Sequence, residues 1–430
     1  MRDLLLGGTL AWLVVVALLH PWIGILGWTW ISIMNPHKLT WGLEFLPIAA
    51  IIGGATLVGL FLTKDRRQFF VTPETGLLIA FTLWMCVTLP FSFFLDSSLL
   101  MWDRVMKINF MILVSIVALH SKKHIVAFVW VVAGSLGFYG VKGGIFTIAT
   151  GGSYKVWGPE GTFIEGNNEM ALALVMVIPL LRFLQLTSTN AWIRRGMLAA
   201  MVFCAAAALG SHSRGALLAI AAMAFVLWTR SERKVPMAVM ILVAGFTLIP
   251  FMPDEWTQRM STIGTYQNDE SAMGRINAWW LAWNVATKNF FGGGYWMWTG
   301  TVFAVYAPVP DDVHAAHSIY FQILGEHGFV GLFLFMTMWL LVWIKAGRLR
   351  RLAKQDPQRR WVADLGAMCQ VSLAGYAVGG AFLSLAYYDM PYNVLVIVVL
   401  TARWYEKKEW LNESAQQTEP AGAMSGGRTA

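Results

Sequence analysis

Two aspartates and two histidines crowd into "DDVHAAH", residues 311–317, directly before the apolar run "SIYFQILGEHGFVGL". Imidazole titrates near pH ~6.5, so His314 and His317 are candidates for moving a proton at neutral pH. Arginine offers a different chemistry, a permanently charged fork that pairs bidentately with phosphate oxygens. Arg214 in "GSHSRGALLA" and Arg275 in "SAMGRINAWWLAWNVATKNFFGGGYW" both border apolar stretches. Lys142 interrupts another in "YGVKGGIFTIATGGSYKVWGPEGTFIEGNNEM", and Asp389 stands at a helix end in "AYYDMPY". Few charges are tolerated near hydrocarbon without a partner or a task. Together these groups could hold a polyanion and take up a proton beside it.

Each residue also has a plainer reading. A lone arginine at a span end can be an anchor that snorkels to the interface, and Asp311 and Asp312 suit a helix N-terminus electrostatically. His327 reads as a packed, hydrogen-bonded histidine, and the Trp-rich stretch 279–298 as an interfacial helix. Asp311, His314 and His317 could share a helical face, but no further ligand cluster accompanies them, so no metal site is expected. The three cysteines, Cys86, Cys204 and Cys369, lie inside apolar segments and form neither a disulfide framework nor a metal pattern.

The elements that must position these groups are membrane helices. Of 430 residues, 57% are hydrophobic and 13% charged, about half the charge fraction of soluble domains. Apolar stretches of membrane-spanning length recur along the chain. The 22 tryptophans suit the membrane–water interface. The N-terminus resembles a signal peptide but lacks a convincing small-residue cleavage site, and reads as a retained first span.

Lys and Arg cluster at 64–67, 122–123, 182–195, 230–234, 345–360 and 403–408, and the positive-inside rule puts these clusters in the cytoplasm. Successive clusters are separated by pairs of apolar segments, near 75–95 and 104–120, 125–149 and 169–186, 197–211 and 215–229, 235–252 and 318–344, 362–386 and 391–404. One span near 44–63 precedes them. Residues 4–34, with Pro21 in the middle, read as one broken element or as two spans. The single element gives an all-α polytopic membrane protein of about twelve transmembrane helices with both ends inside. Four parts are expected: N-terminal helices (1–252), a large external loop with amphipathic helices (253–317), C-terminal helices (318–404) and a disordered cytoplasmic tail (405–430). The loop carries Arg259, Arg275 and Lys288 against Asp254, Glu255, Asp269, Glu270, Asp311 and Asp312. Loops of such length are usually functional. Residues 35–43, 96–103, 150–168, 211–214 and 387–390 fall on the same side, so Arg214, Arg275, His317, Asp389 and the polar loop behind Lys142 share one face. Two arginines and a lysine there suggest a lipid diphosphate as ligand, with aromatic surface to receive its tail.

"HSRGALLA", "GRINAWWLAWNVATKNFFGGG" and "AHSIYFQILGEHGFVGL" resemble, in that order, the motifs of the O-antigen ligase and polymerase superfamily, specifically the WaaL-type ligases. "GWTWISIMNPHKLTWG" and "GFYGVKGGIFTIATGGSYKVWGPEGTFIEGNNEMALAL" look like the branch labelled O-glycosylation ligases of exosortase-type gene clusters. The resemblance covers residues 1 to about 405. It implies a GT-C-like membrane glycosyltransferase of the bacterial inner membrane, active on its periplasmic face in lipopolysaccharide biosynthesis. The donor would be a glycan on undecaprenyl diphosphate and the acceptor lipid A–core oligosaccharide. The family pattern carries over to His317 as the catalytic histidine and to Arg214 and Arg275 as donor-binding arginines. Lys142 joins the donor side; His314, Asp389, Tyr320 and Ser318 are supporting or acceptor-side candidates. Ser318 departs from the asparagine that many relatives place there.

The donor brings its own leaving group, so the expected reaction needs no metal or cofactor: the arginines neutralise phosphate charge and His317 accepts the proton of the attacking hydroxyl, with inversion. The chain has no Asp-x-Asp, Walker-type or dinucleotide glycine motif, and no nucleic-acid partner is expected. Protein O-oligosaccharyltransferase and O-antigen polymerase activities use the same donor and stay open. So does transport of anionic lipids, although no internal duplication supports it.

Overall fold

A computed structural model of the chain describes residues 1–63, 71–230, 234–248 and 270–411. Among the described residues every regular element is a helix. The first eight are α1 (Arg2–Leu19), α2 (Pro21–Met34), α3 (Ile48–Leu62), α4 (Pro73–Thr88), α5 (Leu95–Ala118), α6 (Lys122–Ala149), α7 (Asn167–Thr187) and α8 (Ala191–Gly210). The rest are α9 (Arg214–Arg230), α10 (Lys234–Leu248), α11 (Glu270–Lys288), α12 (Gly300–Tyr306), α13 (Ile319–Ala353), α14 (Arg360–Gly379) and α15 (Asp389–Glu406). With their flanking turns, α1, α4, α6, α7, α8, α13 and α14 are long and apolar enough to cross a bilayer, and α2, α3 and part of α10 are shorter apolar helices. This is the architecture of a multi-pass membrane protein.

Residues 4–34 form two helices that meet at His20. Pro21 opens α2 in its first turn, where a missing N–H removes no intrahelical bond. Residues 96–103, expected as a connection, are the first turns of α5, with Asp96 beside the positive end of the helix dipole. The first part of the long loop, residues 253–269, and the tail beyond 411 lie outside the described residues.

The bundle is organised around α7 and α15. Every residue of α15 from Asp389 to Trp404 is buried, the pattern of a helix enclosed on all sides. Its last turn places Arg403 so that the guanidinium donates to the carbonyls of Ile116, at 2.9 Å, and Leu119, groups left open where α5 ends. Small residues let α6 and α8 close up. A Cβ on Gly144 would stand 2.4 Å from the Phe203 carbonyl oxygen, and one on Gly140 would collide with the Cys204 sulfur.

Over one end of this bundle lies the layer formed by α11 and α12. It has its own core of Ala278, Leu281, Val285, Met297, Val302 and Phe303, packed against Phe93 and Trp298. Its junction with α13 explains the glycine triplet of "NFFGGGYW". Gly328, at φ 69° and ψ −173°, breaks α13 after His327. The carbonyls of Gly325 and Glu326 then accept from the N–H groups of Gly293 (2.8 Å) and Gly294 (3.1 Å), and Trp84 Nε1 donates to the His327 carbonyl at 2.9 Å. A Cβ on Gly292 would stand 2.6 Å from the Glu326 backbone, so only glycine allows this approach.

Candidate functional site: a cationic cleft at three helix starts

The turn between α8 and α9 is only three residues, 211–213, yet it is tied down at each position. The Ser211 carbonyl accepts from Asn167 Nδ2 at 2.6 Å. His212, in a left-handed conformation at φ 57°, joins its Nε2 to the Gly152 carbonyl at 2.8 Å. Ser213 Oγ accepts from the Ala216 N–H at 3.2 Å, a helix cap. Arg214 is therefore the first residue of α9, its backbone fixed from both sides. It lines a cleft together with Asn168, His212, Ser271, Arg275 and Phe382.

Asn168, Arg214 and Ser271 belong to the first turns of α7, α9 and α11, Arg275 to the second turn of α11, and Phe382 to the turn that follows α14. Helix N-termini carry partial positive charge and favour anions, and here they coincide with two guanidinium groups. The cleft is a cationic pocket at an end of the bundle. It is not uniformly so: Glu169, in the first turn of α7, is within electrostatic reach of Arg275.

The strap 307–318 brings His317 within electrostatic reach of Arg275. Asn277 on α11 holds it, donating to the carbonyls of Val309 (2.8 Å) and Asp312 (2.9 Å) and accepting from the Val309 N–H at 3.0 Å. Trp279 Nε1 donates to the Ala316 carbonyl at 2.8 Å while its ring stacks on Phe321, centroids 4.9 Å apart. His317 has φ 41°, a costly conformation for a side-chain-bearing residue, and its N–H donates to Ser384 Oγ at 3.0 Å. Burial, then the charges of Arg275 and His314, push its imidazole down to about 4. At neutral pH it is therefore an unprotonated base beside a guanidinium.

The remaining sequence candidates distribute as follows. His314 lies against Gly274 on α11 and pairs through Nε2 with Asp312 at 2.8 Å, which ties the strap to that helix. Ser318 is buried at the start of α13. Tyr320 spends its hydroxyl on the Ala377 carbonyl at 2.7 Å, a tie between α13 and α14. Lys142 does not reach the arginines: Gly140 and Gly144 define the face of α6 against α8, and Lys142 points off it, exposed, beside Lys155 and Trp157. Asp389 is buried in a different cavity with Arg104 and Ser32. Among the described residues no three His, Cys, Asp or Glu side chains group to hold a metal ion.

Sequence reasoning passed over Glu169, Asn168 and Phe382, and also a buried network beneath the strap. Glu326 accepts from Trp298 Nε1 at 2.9 Å and from the Tyr387 hydroxyl. Tyr387 meets His327 Nε2 at 2.8 Å, and His327 Nδ1 meets Thr88 Oγ1 at 2.8 Å. Gln322 Oε1 accepts from the Ala386 N–H at 3.2 Å. These bonds clamp residues 384–387, and with them the Ser384 hydroxyl under His317. The acid at 169 was visible in "EGNNEM" as a charge opening an apolar run.

Fold and cleft define a multi-pass membrane protein that presents two arginines and a histidine together. Residues 199–336, which contain all three, match the O-antigen ligase family, and residues 1–189 match a family of unknown function (DUF5935). No curated protein matches the chain. Residues 199–336 thus carry an O-antigen ligase family domain. That family implies a glycosyltransferase-like enzyme of ligase or polymerase type, working on lipid-linked glycans in a membrane.

Proposed function

We propose that this protein is an O-antigen ligase that transfers glycan from undecaprenyl diphosphate to lipid A–core oligosaccharide on the periplasmic face of the bacterial inner membrane. The reading assigns the chain about twelve crossings, as the charge clusters require, and places it in the exosortase-associated branch. The observation that carries it is the convergence of Arg214 and Arg275 at helix starts with His317 beside Arg275.

In this scheme the donor's diphosphate lies against Arg214 and Arg275. The acceptor hydroxyl oxygen attacks the anomeric carbon from the opposite face, its proton passes to His317, and the bond from carbon to diphosphate oxygen breaks with inversion. Charge accumulating on the leaving diphosphate meets guanidinium groups whose backbones are already fixed, so little reorganisation is needed. No metal takes part. His314, paired with Asp312, supports the strap. Ser318 and Tyr320 shape the entry to α13. Lys142, outside the cleft and exposed, would meet a distal part of the donor, whereas Asp389, buried in its own cavity, is given no contact with either substrate.

The test is direct. Purified full-length protein is incubated with lipid-linked glycan and, in parallel, lipid A–core, a pilin-like protein or no acceptor. Transfer to lipid A–core alone, lost in His317→Ala while folding is retained, is the expected result. Transfer to protein, or chain growth without acceptor, refutes the assignment.

A further inference from the structure

A second cavity, of about 550 Å³, shares no lining residue with the arginine cleft. That volume is within the roughly 300–1,000 Å³ of small-molecule sites. It lies almost wholly in the segment that matches the family of unknown function. Its walls change character along their length. On α5, Arg104 and Lys107 line it, followed by Phe110 and Met111, so the wall turns from charged to apolar within about 10 Å of helix. On α3 the lining residues Ala50, Gly53, Gly54 and Leu57 are all apolar.

The polar end is cationic. Lys38, from the turn after α2, joins Arg104 and Lys107, and the only acid in the lining is Asp389. Asp389 is buried, bonded to the Ser32 hydroxyl and within electrostatic reach of Arg104. Lys107 pairs with Asp103 at 2.5 Å on an exposed surface, where an ion pair contributes little. Lys38 forms no ion pair among the described residues. Arg104 lies over the Phe163 ring, 4.0 Å to the centroid, which holds its fork in place. A neutral lipid would leave these cations uncompensated, and a free anion would leave the apolar walls unfilled.

We propose that this cavity binds a membrane lipid with a phosphate headgroup, the phosphate at Lys38, Arg104 and Lys107 and a hydrocarbon chain between α3 and α5. The assignment is independent of the transfer chemistry. The site is built for an amphiphile: cations at one end, and an apolar channel whose glycines leave room for a chain. Gly54 has open space where its side chain would be.

The experiment uses full-length protein in detergent and phosphatidic acid carrying a photoactivatable group in its acyl chain, with labelled peptides identified by mass spectrometry. Labelling should fall on residues 49–57 and 108–111, about tenfold above that from the matched diacylglycerol at equal concentration, a ratio equivalent to about 1.4 kcal/mol. Lys38→Gln should cut it severalfold, Lys38→Arg should retain it, and Gly54→Phe should block it by filling the channel. Equal labelling by diacylglycerol, labelling confined to α9 and α11, or labelling unaffected by both Lys38→Gln and Gly54→Phe would each overturn the proposal. So would inorganic phosphate that protects as well as unlabelled phosphatidic acid, since the site would then take a free anion.

Discussion

Filling the arginine cleft with a diphosphate should change the basicity of His317, and the change can be read from kinetics. In the unoccupied cleft the imidazole is depressed from 6.5 to about 4, a cost to the protonated form of about 3 kcal/mol. Burial is the larger cause, and the positive charges of Arg275 and His314 add to it. A phosphate charge about 7 Å from the ring, at an effective dielectric constant of about 20, opposes this by about 2.4 kcal/mol, or about 1.7 pKa units. A second such charge doubles that rise. Protonated His317 cannot accept the hydroxyl proton, so activity falls as pH drops through whichever value applies. The acid limb of kcat/KM, which reports the free enzyme, should lie near 4, and that of kcat, which reports the complex, about two to three units higher. Steady-state transfer rates measured from about pH 3.5 to 8 separate the two limbs. Replacing Arg275 by alanine should slow the reaction and move the kcat/KM limb upward, because one source of depression is gone. Coincident limbs, or a kcat that stays flat down to pH 5 or so, would refute His317 as the base beside a diphosphate.

The same depression affects folding: the unfolded chain binds a proton between pH 6.5 and about 4 that the folded chain does not, so stability is full above that window and falls as pH drops through it. Thermal unfolding in detergent should show this loss in the wild type and a weaker one in His317→Asn. Arg275→Lys keeps the charge but loses the fork, and should lower kcat/KM at least about tenfold, a loss that a charge-only role would not produce. Tyr387→Phe strips Glu326 and His327 of a shared partner and should cost about 2–4 kcal/mol, read as a lower melting temperature together with lower activity through Ser384. Gly328→Ala places a Cβ 2.3 Å from the Phe290 carbonyl oxygen in a glycine-only conformation; recovery of folded protein should collapse, and normal recovery would contradict the described kink.

The sequence made the helices legible because they rest on a one-dimensional signal, and it brought Arg214, Arg275 and His317 forward as titratable or charged groups beside apolar runs. Apolar run length marks spans, and clusters of lysine and arginine order the connections between them. Which side of a helix a residue faces is a different kind of information. Lys142 and Arg214 are equivalent as charges in apolar surroundings, yet Lys142 lies off the α6 face that Gly140 and Gly144 press against α8, while Arg214 begins a helix and lines the cleft with Arg275. The paired glycines were the available signal, since small residues four apart mark a helix contact face. Glu169 was missed for a related reason: an acid before an apolar run is the ordinary complement of a helix dipole, and only packing reveals that its near neighbour is Arg275. The glycine triplet 292–294 resisted interpretation because its partner, the broken turn at Gly328, is thirty-odd residues away and looks helical in pattern.

The cleft also shows why an arginine site in a membrane protein can be stable without its ligand. Its cationic groups stand at helix ends, where burial is partial, and the groups beneath them are committed to one another: Asn167 to Ser211, Ser384 to His317, Tyr387 to Glu326 and His327. In the proposed reaction a lipid diphosphate arriving there would meet side chains whose backbones are held by these bonds. Binding energy then goes into charge neutralisation instead of ordering the site, which is the condition for interactions that strengthen as the leaving group gains charge. Loosening the support at Tyr387 should therefore lower kcat more than it raises KM, whereas a cleft serving only to bind the donor would show the reverse.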